Sequence, residues 1–124
     1  MSAFLAVGLG AMIGAWMRWG LSVWLNPVAP ALPLGTLAAN LIGGYAIGLT
    51  IAWLTEHPAL PPEVRLFLIT GLLGGLTTFS TYSTEVVMAL TRGAWLSTGI
   101  IAISHMAGSF IATGLGFYTM RLIR

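Results

Sequence analysis

Cysteine is absent and charge is scarce. Without a thiol neither a disulfide framework nor a thiolate metal site is possible. Charged residues make up only 6% of the chain, far less than a soluble domain of 124 residues spreads over its surface. The basic residues are five arginines and the acidic ones three glutamates, too thin a balance for a nucleic-acid patch even at a pI near 9.7. Also missing is any catalytic set: no nucleophile stands beside a base, no carboxylates pair, and no phosphate-cradling loop leads into a helix. The sequence does not read as an enzyme. No basic residue precedes the first apolar run, which continues to full spanning length, so no cleavable signal is expected.

What fills the chain instead is apolar surface. With 57% hydrophobic residues and a mean hydropathy of +0.93, the expected fold is an all-α integral membrane protein. A hydrocarbon core of ~30 Å takes about 20 helical residues. Residues 1–124 therefore form a single membrane domain of four spans, about 3–25, 34–55, 63–90 and 95–122, with short loops. Orientation follows the arginine bias across the loops, and here the bias nearly cancels. Arg65, Arg121 and Arg124 on one side are offset by Glu56 and Glu63, while the other side holds Arg92 and, depending on its depth, Arg18. A chain with so little bias inserts either way up, which leads to the expectation of a dual-topology, antiparallel homodimer.

Along the first span Gly10 and Gly14 stand in GxxxG spacing and let another helix approach closely. Arg18 lies about a turn and a half from the end of this span, where two roles stand open: snorkelling to the interface, or lining an aqueous vestibule that attracts anions. Asn26-Pro27, Pro30 and Pro33 mark the first turn. In the second span Asn40, Gly44 and Gly48 share one packed face. Asn40 either makes an interhelical hydrogen bond, the usual fate of a lone intramembrane amide, or offers its NH2 to a permeating anion. His57 lies in a proline-punctuated polar loop and takes no role. In the fourth span His105, Ser109 and Thr113 form a polar stripe, flanked by Ser104, Gly108 and Ala112 as a small-residue face. His105 alone reads as a core histidine, and no partner at ligand spacing makes a transition-metal site of it.

The third span carries the densest signal, Gly71-Leu-Leu-Gly-Gly-Leu-Thr-Thr-Phe-Ser-Thr-Tyr-Ser83. Gly71, Gly74 and Gly75 permit φ > 0 and weaken a helix, so a break is expected there, with carbonyls released from their helical bonds. Irregular backbone at membrane depth persists only when it is buried in protein, lines a watery cavity or holds an ion. At about 100° per residue, Phe79, Tyr82 and Val86 fall on one face and Ser80, Thr84, Thr77, Thr81 and Glu85 on the other. The hydroxyls can each bond back to helix carbonyls, but a whole stripe of them weakens that reading. Glu85, near a span end, reads first as a structural or vestibule carboxylate reaching water or Arg92, ahead of a proton carrier.

Neutral donors (Asn40, Ser80, Thr81, Ser109, Thr113) with aromatic rings and almost no fixed charge suit an anion. Each donor replaces hydration water, and the weakness of each bond lets the ion leave. Ring edges carry partial positive charge, so an anion meeting Phe79 or Tyr82 edge-on is stabilised.

The run Gly-Gly-Leu-Thr-Thr-Phe-Ser-Thr-Tyr-Ser at 74–83, Gly35-Thr-Leu-Ala-Ala-Asn40-Leu-Ile-Gly-Gly44 and Gly108-Ser109 closely resemble the bacterial Fluc (CrcB) fluoride channel family, over essentially the whole chain. The resemblance implies a dual-topology homodimer in the bacterial inner membrane, with two antiparallel pores that export fluoride passively and relieve its toxicity. It also implies a sodium ion at the dimer centre on backbone carbonyls, mapping to Gly74 and Gly75. By motif, Phe79 and Tyr82 form the aromatic box, Asn40 is a pore-lining donor, and Ser80, Thr81, Ser109 and Thr113 make up the polar track. Arg18 and Glu85 take the vestibule positions. Tyr82 departs from the family's usual phenylalanine and adds a hydroxyl donor to the box.

Two rivals remain at this stage. A small dual-topology multidrug/proton antiporter needs a membrane-embedded carboxylate, typically in the first span, and this first span has none. A non-transporting assembly subunit needs only the glycine faces, and leaves the polar stripes and the aromatic face unexplained.

Overall fold

Four helices long and apolar enough to cross a membrane run over Ala3–Val28, Leu34–Glu56, Pro62–Thr91 and Trp95–Leu122 in the computed structural model, which describes residues 2–124. The first begins where Ser2 Oγ accepts from the Leu5 N–H at 3.3 Å, a side-chain cap for one of the four N–H groups that a helix start leaves unpaired. This helix, α1 (Ala3–Leu25), passes into a 3-10 turn over Asn26–Val28. Asn26 Oδ1 then accepts from Gly35 N at 2.7 Å and so caps the next helix, α2 (Leu34–Glu56), from outside it.

The third span is composite. It starts as α3 (Pro62–Arg65), with proline in its first turn where no N–H is missed, widens into a π-helical segment over Leu66–Leu73, and closes with a short α4 (Gly74–Leu76). Thr77 (φ −85°, ψ 156°) and Thr78 (φ −151°, ψ 125°) are extended. The helix restarts as α5 (Phe79–Thr91) under a cap from Thr78 Oγ1 to the Thr81 N–H, 3.2 Å. The glycines are therefore not where the backbone opens, contrary to the sequence expectation. Gly74 is helical (φ −64°, ψ −36°), and the one positive-φ glycine among the described residues is Gly93 (φ 73°). Gly93 ends α5, where the Ala94 N–H reaches back to the Ala89 carbonyl at 3.0 Å. The last helix, α6, is Trp95–Leu122.

Glycine in the third span serves close approach. A Cβ on Gly71 would lie 2.8 Å from the Val7 carbonyl oxygen and 2.9 Å from Gly10 Cα, so α1 and the third span meet backbone to backbone. A similar seam joins α2 to α6, where a Cβ on Gly44 would lie 3.1 Å from the Ser109 carbonyl and one on Gly48 would lie 3.0 Å from the Phe117 N–H. Few large side chains are buried: Leu54, Leu76 and Thr36 are the largest fully enclosed. Most bulky apolar groups, including Trp16, Trp19, Trp24, Phe79 and Phe110, face outward. A protein whose outer solvent is lipid arranges itself this way, with small residues inside and large ones outside. At the end of α2 and the chain terminus, Glu56 and Arg124 form an ion pair, joining ends that lie on the same side of the bundle.

Candidate functional site: a groove at the restart of the third span

Extended backbone inside a helical bundle needs partners for its N–H and C=O, because no ladder runs through it. Asn40 supplies both to Thr78. Its Oδ1 accepts from the Thr78 N–H at 2.8 Å and its Nδ2 donates to the Thr78 carbonyl at 2.9 Å. The second Nδ2 hydrogen points to His105 Nδ1, 3.0 Å away on α6. His105 is 4% exposed and stacks on Tyr82, ring centroids 4.6 Å apart and planes at 18°. The Tyr82 hydroxyl donates to the Ala102 carbonyl at 3.0 Å, pinning α5 to α6. Phe79 meets Tyr82 edge to face, with centroids 5.4 Å apart and planes at 73°.

These groups line a groove of about 440 Å³, walled by Asn40, Gly44, Gly74, Thr77, Thr78, Phe79, Tyr82, His105, Met106, Ser109 and Phe110. No arginine and no carboxylate lines it. Phe79 and Phe110 stand on its rim, 71% and 70% exposed.

Of the residues singled out from sequence, Asn40, Phe79, Tyr82, Ser109 and Gly74 come together in this groove. Ser80, Thr81, Thr113, Arg18, Glu85 and Gly75 do not line it. Ser80 and Thr81 cluster instead about the Thr78 hydroxyl, at 3.3 and 3.1 Å. Thr113 sits against Gly44 in the α2–α6 seam. Glu85 Oε1 accepts from Thr36 Oγ1 at 2.6 Å, and its Oε2 is enclosed without a partner; Arg92, the expected partner, is exposed. Arg18 is half-buried, its Nε donating to the Gly75 carbonyl at 3.0 Å, a partner on the third span that its spacing along the first did not reveal. Tyr82 lends the groove its ring, while its hydroxyl is spent on Ala102 and adds no donor to the box.

Sequence reasoning missed His105, Met106, Phe110 and the Thr77–Thr78 pair. For His105 the signal was present in its stripe with Ser109 and Thr113. For Thr78 it was a hydroxyl residue placed directly before a helical run, as caps are.

The fold and the groove define a class: a small multi-pass membrane protein of four spans, whose third span restarts beside an uncharged, aromatic-rimmed groove. Comparison with known proteins narrows it. Residues 5–117 match the family described as CrcB-like protein, Camphor Resistance (CrcB). A protein of Thiobacillus denitrificans called fluoride-specific ion channel FluC is 70% identical over 124 residues, the full length of both chains. Proteins with the same name from Cupriavidus pinatubonensis and Pseudomonas putida are each 55% identical. The first covers 97% of this chain and 95% of the relative, the second 99% and 97%. The chain belongs to the CrcB family. Nothing in these comparisons favours the antiporter.

Proposed function

We propose that this chain is a fluoride-selective ion channel through which fluoride leaves a bacterial cell passively across the inner membrane, relieving fluoride toxicity. The working unit is a dual-topology antiparallel homodimer with two pores, each completed by both copies. The relatives named as fluoride-specific channels support this reading over nearly the full length of the chain. The observation that carries it is the groove itself, in which a hydroxyl and aromatic rings converge with no fixed charge to trap an ion, while both Asn40 amide hydrogens go to Thr78 and His105. Its two exposed phenylalanines, on the rim of a half-open groove, suit closure by a second copy.

Fluoride is small and strongly hydrated, so it gains most from several close donors and loses least in leaving weak ones. Phe79 and Tyr82 set their rings nearly perpendicular on one wall, and Ser109 lines the groove from α6. Asn40 lines the same wall, its amide held by Thr78. Ser80, Thr81 and Thr113 belong to the path outside the groove. Arg18 and Glu85 take the vestibule positions in this reading, and their partners, Gly75 and Thr36, set where their charges sit. No catalysis is part of this reading.

A sodium ion at the dimer centre fits one of the two carbonyls assigned to it. The Thr78 N–H that would close a turn onto the Gly74 carbonyl goes to Asn40 instead, which leaves that oxygen without its helical partner. Gly75 does not fit, because the Arg18 guanidinium already holds its oxygen and repels a cation there. When bound, sodium would supply a fixed positive charge between the two copies.

The test is fluoride efflux from liposomes containing the purified protein, read with a fluoride electrode beside a matched chloride assay. Fluoride release that requires valinomycin and potassium for charge balance, with no chloride release, is the expected outcome. Release of neither ion overturns the reading, and a proton-coupled drug assay on Glu85→Gln would then test the antiporter.

A further inference from the structure

A second hollow, of about 480 Å³, opens between α1 and α2 and is lined by Met17, Gly20, Leu21, Trp24, Ile42 and Leu76. No charged side chain, hydroxyl or amide lines it. Two of its walls show which way it faces. On α2 Gly44 lines the ion groove and on α4 Gly74 does so, whereas Ile42 and Leu76, two residues away on the same helices, stand about 200° round from them. The second hollow therefore opens away from the face given above to a second copy, toward lipid. Gly20 keeps it open. Gly14 on the same helix is small because backbone crosses it, a Cβ there lying 2.7 Å from the Leu76 N–H, but nothing lies within 4 Å of a Cβ on Gly20. Trp24 stands next to the last residue of α1, with Met17 about 10 Å deeper, and Ile42 lies about 12 Å past the start of α2 at the same end of the bundle. The hollow thus runs from the membrane surface through most of one leaflet, whose hydrocarbon is about 15 Å thick.

We propose that this hollow binds one acyl chain of a phospholipid from the leaflet beside the turn between α1 and α2. Its direction away from the partner rests on the dimer proposed above; the identity of the conducted ion does not enter. A helix is a poor occupant, because the line of Gly20 continues along α1 into Ile13, which is large and exposed and blocks close approach. A lipid tail needs only a strip that is apolar, open sideways and deep enough. Trp24 marks where headgroups meet hydrocarbon, the level that suits an indole with an apolar ring and one donor. Bilayer hydrocarbon is as apolar as these walls, so packing selects the site: an empty hollow leaves its lining without dispersion partners on one side. Leu76, which lines it, is the last residue of α4, and the extended Thr77 and Thr78 follow. The chain thus backs the point at which the third span opens.

The experiment uses full-length protein in vesicles of phosphatidylethanolamine and phosphatidylglycerol, doped with a phosphatidylcholine that carries a photoactivated diazirine at mid-chain. Labelled residues are located by peptide mass spectrometry. Trp16 is the reference, next to Met17 on α1 and outside the hollow. It is 62% exposed against 49% for Ile42, so bulk lipid alone labels Trp16 the more. The expected result is the reverse, with Met17 and Ile42 labelled severalfold above Trp16. Gly20→Leu fills the hollow and is expected to abolish labelling at Ile42 while Trp16 is labelled as before; Ile42→Trp, filling it from α2, should do the same at Met17. Labelling of Ile42 at or below the Trp16 level, or labelling that survives Gly20→Leu, reduces the contact to bulk lipid and overturns the inference. Absence of label from both Met17 and Ile42, with Trp16 labelled, means that another copy covers this face and overturns it too. Fluoride efflux from the same vesicles separates the two proposals: the expected labelling without flux leaves this site standing and overturns the channel.

Discussion

Asn40 gives Thr78 what a neighbouring strand would give, an acceptor for its N–H and a donor for its carbonyl. Removing it strands two polar backbone groups in a bundle with no water to spare. Asn40→Leu is expected to cost roughly 2–4 kcal/mol, the sum of two unsatisfied buried groups, read as a lower unfolding midpoint in detergent; an unchanged midpoint would show that the clamp is dispensable. The two rings of the box differ in what they spend. Tyr82 uses its hydroxyl on the Ala102 carbonyl, an oxygen on a helix that already has a backbone bond, so Tyr82→Phe should keep fluoride flux within about twofold of native. Phe79 has no polar group to spend and is largely exposed, with its ring nearly perpendicular to that of Tyr82. Phe79→Ile removes the aromatic ring at an exposed position and should cut flux about fivefold or more, the loss of one electrostatic contact of about 1 kcal/mol or more. Normal flux in that variant would take the ring out of the permeation path.

At the scale of elements, the bundle is held where helices touch through glycine. Gly75 lies against α1, where an added Cβ would be 3.0 Å from Ala11 Cα, and Gly48 lies as close to α6. Gly75→Ala and Gly48→Ala force two backbones apart and should each destabilise the protein by about 1–3 kcal/mol. Gly8, on the same α1 helix, has nothing within 4 Å of its missing Cβ. Gly8→Ala is therefore the control, expected to be neutral or to stabilise by up to about 1 kcal/mol through helix propensity. Equal effects at Gly8 and Gly75 would mean that propensity, not close packing, governs these positions. The composite third span belongs to the same scale: its π-helical segment and two extended residues give up helical bonds that Asn40, Arg18 and the Thr78 hydroxyl partly restore.

For the whole molecule, five arginines and three glutamates decide little about which way up the chain inserts. With no native cysteine, Ala59→Cys in the exposed loop after α2 gives a single reporter. A membrane-impermeant maleimide applied to intact cells should label about half of it, as two orientations of near-equal energy require. Labelling of all copies or of none would exclude dual topology. Two lysines added after Arg124 should then drive insertion to one orientation and lower fluoride efflux, because antiparallel partners become scarce.

The sequence by itself determined that this chain lives in lipid and crosses it four times, because an apolar run of spanning length has no other solvent. It also marked faces through which helices pack, since glycine and small residues at four-residue spacing permit close contact there, without saying which helix each face meets. Asn40, Phe79, Tyr82 and Ser109 were legible because polar and aromatic side chains in a membrane helix need a reason to be there. Only the tertiary structure decided what each polar atom spends its bonds on. Arg18 faces Gly75, Glu85 faces Thr36, the Tyr82 hydroxyl faces Ala102, and the backbone extends at Thr77–Thr78 while the glycines before it stay helical. The reason is range: spacing along one helix fixes which face a group shares, whereas its partner stands on another helix many residues away. For His105 that partner, Asn40, stands 65 residues away along the chain.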